Sequence, residues 1–174
     1  LFRSQINTAG NTSTSGNLKA GTYTGIQSVG STLSGADAAN YTFSGATGNY
    51  TVSQKSLTGS IASGTSVYGA ALAPGTASIT SGIVGSDQVS PATVTVNTAG
   101  NTSTSGNLKA GTYTGIQSVG STLSGADATN YTFAGTTGNY TVTPLTLAGV
   151  LGAGSSVYGA SLVPGTVTFS NKVG

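Results

Sequence analysis

The stretch NTAGNTSTSGNLKAGTYTGIQSVGSTLSGADA, residues 7–38, occurs a second time without a change at residues 97–128. The two copies are therefore offset by 90 residues. Comparing residues 7–76 with residues 97–166 gives 70 aligned pairs, of which 55 are identical and 15 differ. A duplication with this period indicates a tandem array in which each copy forms a structural unit.

Short alternations of apolar and polar residues indicate β-strands along the whole chain. We expect strands over residues 1–6, 21–29 and 39–43, with Gly25 forming a β-bulge in the second of these. The turn SGATG is expected to join the motifs NYTF and NYTV as a hairpin. No stretch of ten residues has helical spacing, so almost no helix is expected. About seven or eight short strands per 90 residues are typical of a β-sandwich.

Module boundaries are expected between residues 54 and 55 and between residues 144 and 145, each time after the NYTV motif. On this division, residues 1–54 are the C-terminal part of one repeat module, residues 55–144 a complete module, and residues 145–174 the N-terminal part of the next. The connecting segments are only a residue or two long, which predicts modules of about 90 residues arranged end to end. Because both ends fall inside a copy, we expect a segment of a longer polypeptide.

Charged residues are scarce, with five Lys or Arg, three Asp, no Glu and no His. Nucleic-acid binding normally depends on clustered Lys and Arg, and a single Lys per repeat forms no such cluster. No apolar run approaches the length of about 18 residues that a membrane span requires. We therefore expect this segment neither to bind nucleic acid nor to insert into a membrane.

Side chains that commonly carry catalysis are also few. Hydrolytic chemistry needs a base that titrates near neutral pH or a paired acid and base, and the chain has no His, Cys or Glu. The lack of Cys also excludes a disulfide framework and a thiolate metal site. We expect no enzymatic activity, no cofactor and no metal.

The motifs GADAANYTF, GNYTVSQKSLTG and SVYGAALAPG resemble the repeats of large secreted and surface proteins of bacteria, the filamentous haemagglutinin type. They are similar to the mostly-bacterial Ig-like and YDG-type tandem repeats, in which a strand ending in NYT is followed by a joint, a Leu-Thr strand and a Tyr-Gly segment. The middle residue of that segment is Gly69 or Gly159 in this chain, where the YDG form has Asp.

This resemblance implies tandem Ig-like β-sandwich modules in a bacterial adhesin exported to the cell surface or the extracellular medium. The repeats would act as spacers in a stalk, an extracellular fibre or a biofilm matrix. Neighbouring repeats or copies of the chain are the expected partners. Surface glycans or matrix polysaccharide are further candidates.

Tyrosines are the first candidate site residues, because aromatic faces stack on sugars. Tyr113, Tyr131 and Tyr140 are the candidates for glycan stacking. Large residues at alternating strand positions are more often part of a core, with the tyrosine hydroxyl at its rim. Core packing is therefore the favoured interpretation, and a glycan-binding module is the alternative.

Three charged residues raise further alternatives. Lys109 and Asp127 could take part in an intramolecular isopeptide bond to Asn, against the simpler interpretation of a solvated Lys that protects an edge strand. Asp37 and Asp127 could bind calcium together with a nearby Asn, but no calcium-loop motif is present. A turn in which the carboxylate accepts backbone N–H groups is the favoured interpretation.

Self-assembly is another functional hypothesis. Residues 145–174 followed by residues 1–54 reconstruct most of a module, without a counterpart of residues 86–90. The incomplete end of one chain could therefore accept the start of the next by strand complementation, which would give a head-to-tail filament.

Overall fold

A computed structural model describes residues 3–174 and shows an all-β chain, as predicted. Within these residues there is no α-helix, and helical structure is limited to the single 3₁₀ turns Ala38–Asn40 and Ala128–Asn130. None of the helical segments in this part of the chain is long and apolar enough to cross a membrane.

Fourteen strands occur in the described residues. In chain order they are β1 (Gln5–Ile6), β2 (Gly21–Val29), β3 (Ala46–Val52), β4 (Lys55–Ile61), β5 (Gly64–Val67), β6 (Ala77–Ser81), β7 (Ser90–Pro91), β8 (Thr95–Val96), β9 (Gly111–Val119), β10 (Leu123–Ser124), β11 (Tyr131–Phe133), β12 (Thr136–Thr143), β13 (Gly149–Leu151) and β14 (Val167–Phe169).

The chain divides into two compact units, and each consists of several segments. Unit 1 comprises Leu1–Ile61, Ala77–Thr93 and Val119–Thr136. Unit 2 comprises Ala62–Thr76, Val94–Ser118 and Thr137–Gly174. This division differs from the predicted modules, because residues 55–144 contribute to both units.

Unit 1 contains three small sheets. In the first, β2 pairs antiparallel with β1 and with β3, and the register shifts between Tyr23 and Gln27. Gly25 lies at that shift with φ +69°, a conformation that favours glycine, so the predicted β-bulge is confirmed. In the second sheet, β4 lies between β11, its parallel partner, and β6, its antiparallel partner. The third is the short antiparallel pair β7 and β10.

The interior of unit 1 includes Leu57, Tyr131 and Phe133, all of them buried. Tyr131 and Phe133 are two residues apart on β11 and therefore lie on the same face of the strand. A Cβ atom at Gly59 would lie 3.1 Å from the Phe133 ring and 2.7 Å from the carbonyl oxygen of Ser78, so glycine leaves room for that ring.

Unit 2 is built around a four-stranded sheet with the order β5-β12-β9-β8, in which β5 and β12 are parallel. Gly138, Tyr140 and Val142 of β12 are buried at alternate positions, which is the period of a strand with one covered face. Tyr140 and Val142 form a core cluster with Leu108. The antiparallel pair β13 and β14 also belongs to this unit and is exposed at every residue.

Gln117 is a polar residue at the centre of unit 2 and has no exposed surface. Its Oε1 accepts a hydrogen bond from the N–H of Gly75 at 2.7 Å. Its Nε2 donates to the carbonyl oxygens of Ala62 at 3.1 Å and Asn139 at 2.6 Å. The buried amide thus ties three separate segments of unit 2 together through their backbones.

Several strand predictions need correction. The first predicted strand shrinks to β1, with Leu1 and Phe2 outside the described residues. Residues 39–43 form no strand, although the equivalent residues of the second copy include β11. The predicted NYTF–NYTV hairpin is wrong, because β11 and β12 pair with β4 and β5 in different sheets. Residues 55–144 contain nine strands, β4 to β12, because several are only two residues long.

Candidate functional site

The most polar buried cluster of unit 1 joins a loop of the first copy to residues of the predicted module 55–144. The loop is the tight turn at Ser13–Thr14–Ser15, closed by a hydrogen bond from the N–H of Ser13 to the carbonyl oxygen of Asn17 at 2.8 Å. Opposite it lie the side chains of Asp87 and Asp127, both buried. We call these residues, together with Asn130 and Tyr131, the polar joint.

Asp127 binds both the side chain and the backbone of Thr14. The Thr14 hydroxyl donates to Oδ2 at 2.6 Å and the Thr14 N–H donates to Oδ1 at 3.1 Å. Oδ2 also accepts the N–H of Gln88 at 2.9 Å. The Thr14 hydroxyl, followed by the Gln88 N–H, lowers the pKa of Asp127 below its ordinary value, because each bond favours the charged carboxylate.

Asp87 holds the next residue of the same loop. Its Oδ1 accepts the N–H of Ser15 at 3.0 Å, and its Oδ2 accepts the Tyr131 hydroxyl at 2.7 Å. Burial by itself would raise the pKa of Asp87, but hydrogen bonds from Ser15 and Tyr131 outweigh it and lower the pKa to about 2. Burial, and then the bond to Asp87, raises the pKa of Tyr131.

Further hydrogen bonds strengthen the joint. Asn130 Oδ1 accepts the N–H of Ala20 at 2.9 Å, and the Ser15 hydroxyl donates to the carbonyl oxygen of Val84 at 2.8 Å. Gln54 Nε2 donates to the carbonyl oxygen of Thr129 at 2.9 Å. Residues on both sides of the predicted boundary between residues 54 and 55 are therefore linked by side-chain to backbone bonds.

The hydrogen bonds of the polar joint hold the loop in place. Both carboxylates have lowered pKa values, so they are ionised at neutral pH and are weak bases there. Their oxygens accept hydrogen bonds from the loop and from neighbouring backbone groups. Within residues 3–174, no group of three or more His, Cys, Asp or Glu side chains lies close enough together to hold a metal ion.

The glycan candidates are mostly interior residues. Tyr140 is fully buried in unit 2, where its hydroxyl accepts the N–H of Ala73 at 2.8 Å. Tyr113 packs against the same cluster, and its hydroxyl donates to the carbonyl oxygen of Lys109 at 2.7 Å. Tyr131 is buried in unit 1. The rings of Tyr131 and Tyr140 present no face to solvent on which a sugar could stack.

The isopeptide and turn predictions concern Lys109, Asp37 and Asp127. Lys109 is exposed and Asp127 is buried, so the two do not have the shared burial that an isopeptide bond requires. Asp127 precedes a 3₁₀ turn without capping it, since its side chain makes no hydrogen bond to that turn. It accepts backbone N–H groups of Thr14 and Gln88 instead, whereas Asp37, its counterpart in the first copy, is exposed.

Sequence reasoning missed Asp87, Gln117 and the loop residues Thr14 and Ser15. One signal was available for Asp87, because a carboxylate is rare in a chain with only three acidic residues and this one lies outside the duplicated block. No local signal distinguishes Thr14 and Ser15 from other residues of a Ser- and Thr-rich loop.

Comparison with protein-family models, with curated proteins and with solved structures found nothing that matches this chain.

Proposed function

We propose that this chain is a structural repeat segment of a secreted or surface-anchored bacterial filamentous adhesin. Its tandem modules, Ig-like β-sandwiches of about 90 residues, act as spacers in a stalk or fibre. The proposal combines the resemblance of the repeat motifs with the duplication of residues 7–38. A catalytic role is not part of it.

The observation that carries the proposal is the parallel pairing of strands from the two ends of residues 55–144. In unit 1, β4 at the start of this stretch pairs in parallel with β11 near its end. In unit 2, the next strand β5 pairs in parallel with β12. Tension on residues 55 and 144 would pull each pair along its length. The hydrogen bonds of a pair would then resist together, whereas an antiparallel hairpin pulled at its open end loses them one at a time.

The polar joint supports the same function. A spacer transmits direction only if successive repeats cannot swivel freely. Asp127 binds Thr14 of the preceding copy, and Asp87 binds Ser15. Asn130 binds Ala20 of the same copy. All three binding residues belong to residues 55–144. These bonds restrict the connection at residues 54 and 55 beyond what its short length does.

Single-molecule force spectroscopy tests the proposal on the full chain tethered at both ends. We expect a force peak followed by a gain in contour length of about 300 Å, since a 90-residue module extends by about 3.3–3.6 Å per residue. Extension without a force peak, or in steps unrelated to the repeat length, would refute the proposal.

A matched pair of variants tests the role of the parallel strands. Proline removes a backbone donor and is poorly tolerated inside a sheet. Thr132→Pro, in β11 opposite Ser56, is expected to remove or strongly lower the force peak. Thr42→Pro, the equivalent change in the first copy where there is no strand, is expected to leave the peak unchanged. Equal peaks in the two variants would show that the β4–β11 pairing does not carry the load.

A further inference from the structure

The turn of the preceding copy that enters the polar joint holds its own shape. We call this turn, residues 11–19, the joint turn. Its Ser13 N–H donates to the carbonyl oxygen of Asn17 at 2.8 Å, and in the identical segment of the second copy Ser103 donates to Asn107 at 2.8 Å. Within residues 3–174, the carboxylates of the polar joint are hydrogen-bonded to the joint turn and not to its counterpart. The turn therefore does not need these carboxylates in order to form.

Every carboxylate oxygen of the polar joint accepts a hydrogen bond. Oδ1 of Asp127 accepts the N–H of Thr14, and Oδ2 accepts the Thr14 hydroxyl. Oδ1 of Asp87 accepts the N–H of Ser15, and Oδ2 accepts the Tyr131 hydroxyl. A protonated carboxyl group carries a hydrogen on one of its oxygens, and a backbone N–H cannot accept that hydrogen. Protonation therefore removes an acceptor that a donor of the joint needs.

Neutral donors, and not cations, compensate the negative charge of the joint. Burial raises the pKa of Asp87, and hydrogen bonds from hydroxyl and N–H groups outweigh it. Bonds of the same two kinds lower the pKa of Asp127, and the charge of Asp87 opposes them. The Tyr131 hydroxyl donates to Asp87, and the exposed Lys55 lines the same cavity as Asp87. Lys19 is the charged residue of the joint turn, and neither lysine contributes to the two pKa values.

We propose that the polar joint is an acid-sensitive contact, in which protonation of Asp87 and Asp127 releases the joint turn while the strands of unit 1 stay folded. The joint turn keeps its internal hydrogen bonds, and the side chains of Leu57 and Phe133 in the interior of unit 1 are apolar and do not titrate. The bond from Ala20 to Asn130 also does not titrate, but a bond between neutral groups is about half as strong as one to an ionised group.

Release of the joint turn would free the connection at residues 54 and 55, which the polar joint restricts at neutral pH. A chain of repeats would then be stiff at neutral pH and flexible in acid. The inference rests on the proposed function, because it names the condition that controls how well a spacer transmits direction. Both sides of the joint belong to unit 1.

The pH range of the release follows from Asp87, whose pKa is lowered from 3.8 to about 2 in the docked state. Its contribution to docking is therefore fully present above about pH 4 and is lost as the pH falls towards 2. The resulting change in the docking equilibrium is at most about 60-fold, because Tyr131 can stay bound to Asp87 after release. Asp127 adds to this change in the same direction, since its pKa is lowered as well.

Backbone amide signals of the ¹⁵N-labelled chain, followed by nuclear magnetic resonance, test the release. As the pH falls from 7 to 2, we expect the Thr14 and Ser15 signals to move to the positions of Thr104 and Ser105. These two residues have the same neighbours in sequence, and no carboxylate of the described residues binds them. The midpoint of the movement should lie between about pH 2 and 4. Signals of β4 and β6 should keep their folded positions over the same range.

Two results of this titration would overturn the inference. Thr14 and Ser15 signals that stay in place down to pH 2 would show that the joint is not sensitive to acid. Movement of these signals only together with those of β4 and β6 would show that unit 1 unfolds as a whole, without a separate release of the joint turn.

Trypsin cleavage at neutral pH gives a second test, because each copy carries a lysine at the same place. Lys19 lies in the joint turn, and the next N–H, that of Ala20, donates to Asn130 at 2.9 Å. Lys109 has the same neighbours in sequence and is exposed. Cleavage by a protease requires a segment that can leave its folded contacts. We therefore expect cleavage after Lys19 to be slower than cleavage after Lys109 in the unmodified chain.

The double variant Asp87→Asn and Asp127→Asn resembles the protonated joint at neutral pH. We expect its cleavage after Lys19 to be faster by about tenfold or more, since a hydrogen bond to an ionised group contributes roughly a factor of ten to an equilibrium. Asp37→Asn is the matched control, because Asp37 is the exposed counterpart of Asp127, and it should leave this rate unchanged. Cleavage after Lys55, in β4, reports unfolding of unit 1 and should stay slow in all variants.

An unchanged rate of cleavage after Lys19 in the double variant would overturn the inference. Equal acceleration after Lys19 and Lys55 would also overturn it, because unit 1 would then be unfolded. The force measurement is separate from these results, since it reports the unfolding of a module at neutral pH. If the repeat-length unfolding step is observed and the release of the joint turn is not, the inference of an acid-sensitive contact alone is wrong.

Discussion

Replacement of Gln117 by Met tests whether the buried amide stabilises unit 2. Met has nearly the same length as Gln and is easily accommodated in a core, so the main loss is hydrogen bonding. The substitution removes the acceptor of the Gly75 N–H and the donor to the carbonyl oxygens of Ala62 and Asn139. All three lost partners are backbone groups.

The expected cost follows from these three groups. A backbone N–H has one proton to donate, so leaving that of Gly75 buried and unpaired costs about 1–3 kcal/mol. Each carbonyl oxygen has a second lone pair, so losing one hydrogen bond costs it less free energy than the Gly75 N–H loses. Burial of the apolar Met side chain offsets part of the total cost. We expect a net loss of about 3 kcal/mol, which is roughly a hundredfold change in the ratio of folded to unfolded protein.

Urea unfolding followed by tyrosine fluorescence measures this loss, since the chain has no Trp. With a slope of about 2 kcal/mol per molar urea, the midpoint should fall by about 1.5 M. Gln27→Met is the matched control, because Gln27 has the same neighbours in sequence, is half-buried, and donates one side-chain bond, to the carbonyl oxygen of Asn49. Its cost should stay within about 1 kcal/mol. Equal losses of unfolding free energy in Gln117→Met and Gln27→Met would refute the role given to the buried amide.

Three further predictions concern stability. The pKa of Asp87 in the folded chain is lowered from 3.8 to about 2. Its contribution to the free energy of unfolding is therefore fully present above about pH 4 and is lost as the pH falls towards 2. Urea midpoints measured between pH 2 and 7 should therefore fall at the acid end, and less so for Asp87→Asn. Tyr140→Phe should cost about 1–2 kcal/mol in urea unfolding, since it leaves a backbone N–H without its acceptor. Gly64→Ala should cost about 1–3 kcal/mol in thermal melts, because the new Cβ would overlap the ring of Tyr140.

Each of these predictions has a control and a contradicting result. For the acid titration, the urea midpoint could fall as much in Asp87→Asn as in the unmodified chain. That result would show that another group causes the loss of stability at low pH. Tyr50→Phe changes a partly exposed ring and should cost less than about 0.5 kcal/mol, so equal losses at Tyr50 and Tyr140 would count against the buried hydroxyl. Gly120→Ala adds a Cβ with nothing within 4 Å, and a loss there as large as at Gly64 would count against the steric argument.

The local alternation of residues predicted much of the strand content. The predicted strand over residues 21–29 has the bounds of β2, and the bulge at Gly25 was foreseen because glycine interrupts the alternation there. The scarcity of helix followed from the lack of helical spacing. These features depend on neighbouring residues only, so a single sequence carries them.

Strand pairing over long separations was not predictable in the same way. The NYT motif of residues 39–43 forms no strand, whereas in the second copy it leads into β11, because only there does β4 supply a partner. The polar joint was missed for a related reason. It joins Thr14 to Asp127, which are 113 residues apart, and no local pattern reports such a contact.

The duplication separates what local sequence determines from what distant contacts determine, because residues 7–38 and 97–128 are identical. The sequence alone determined what the copies share, such as β2 and β9 with a positive φ at the same glycine. Tertiary structure decided what differs: Asp127 is buried in the polar joint while Asp37 is exposed, and Gln117 holds three backbone groups while Gln27 holds one. Burial and hydrogen bonding depend on what distant segments bring to a residue, so the same residues acquire different roles.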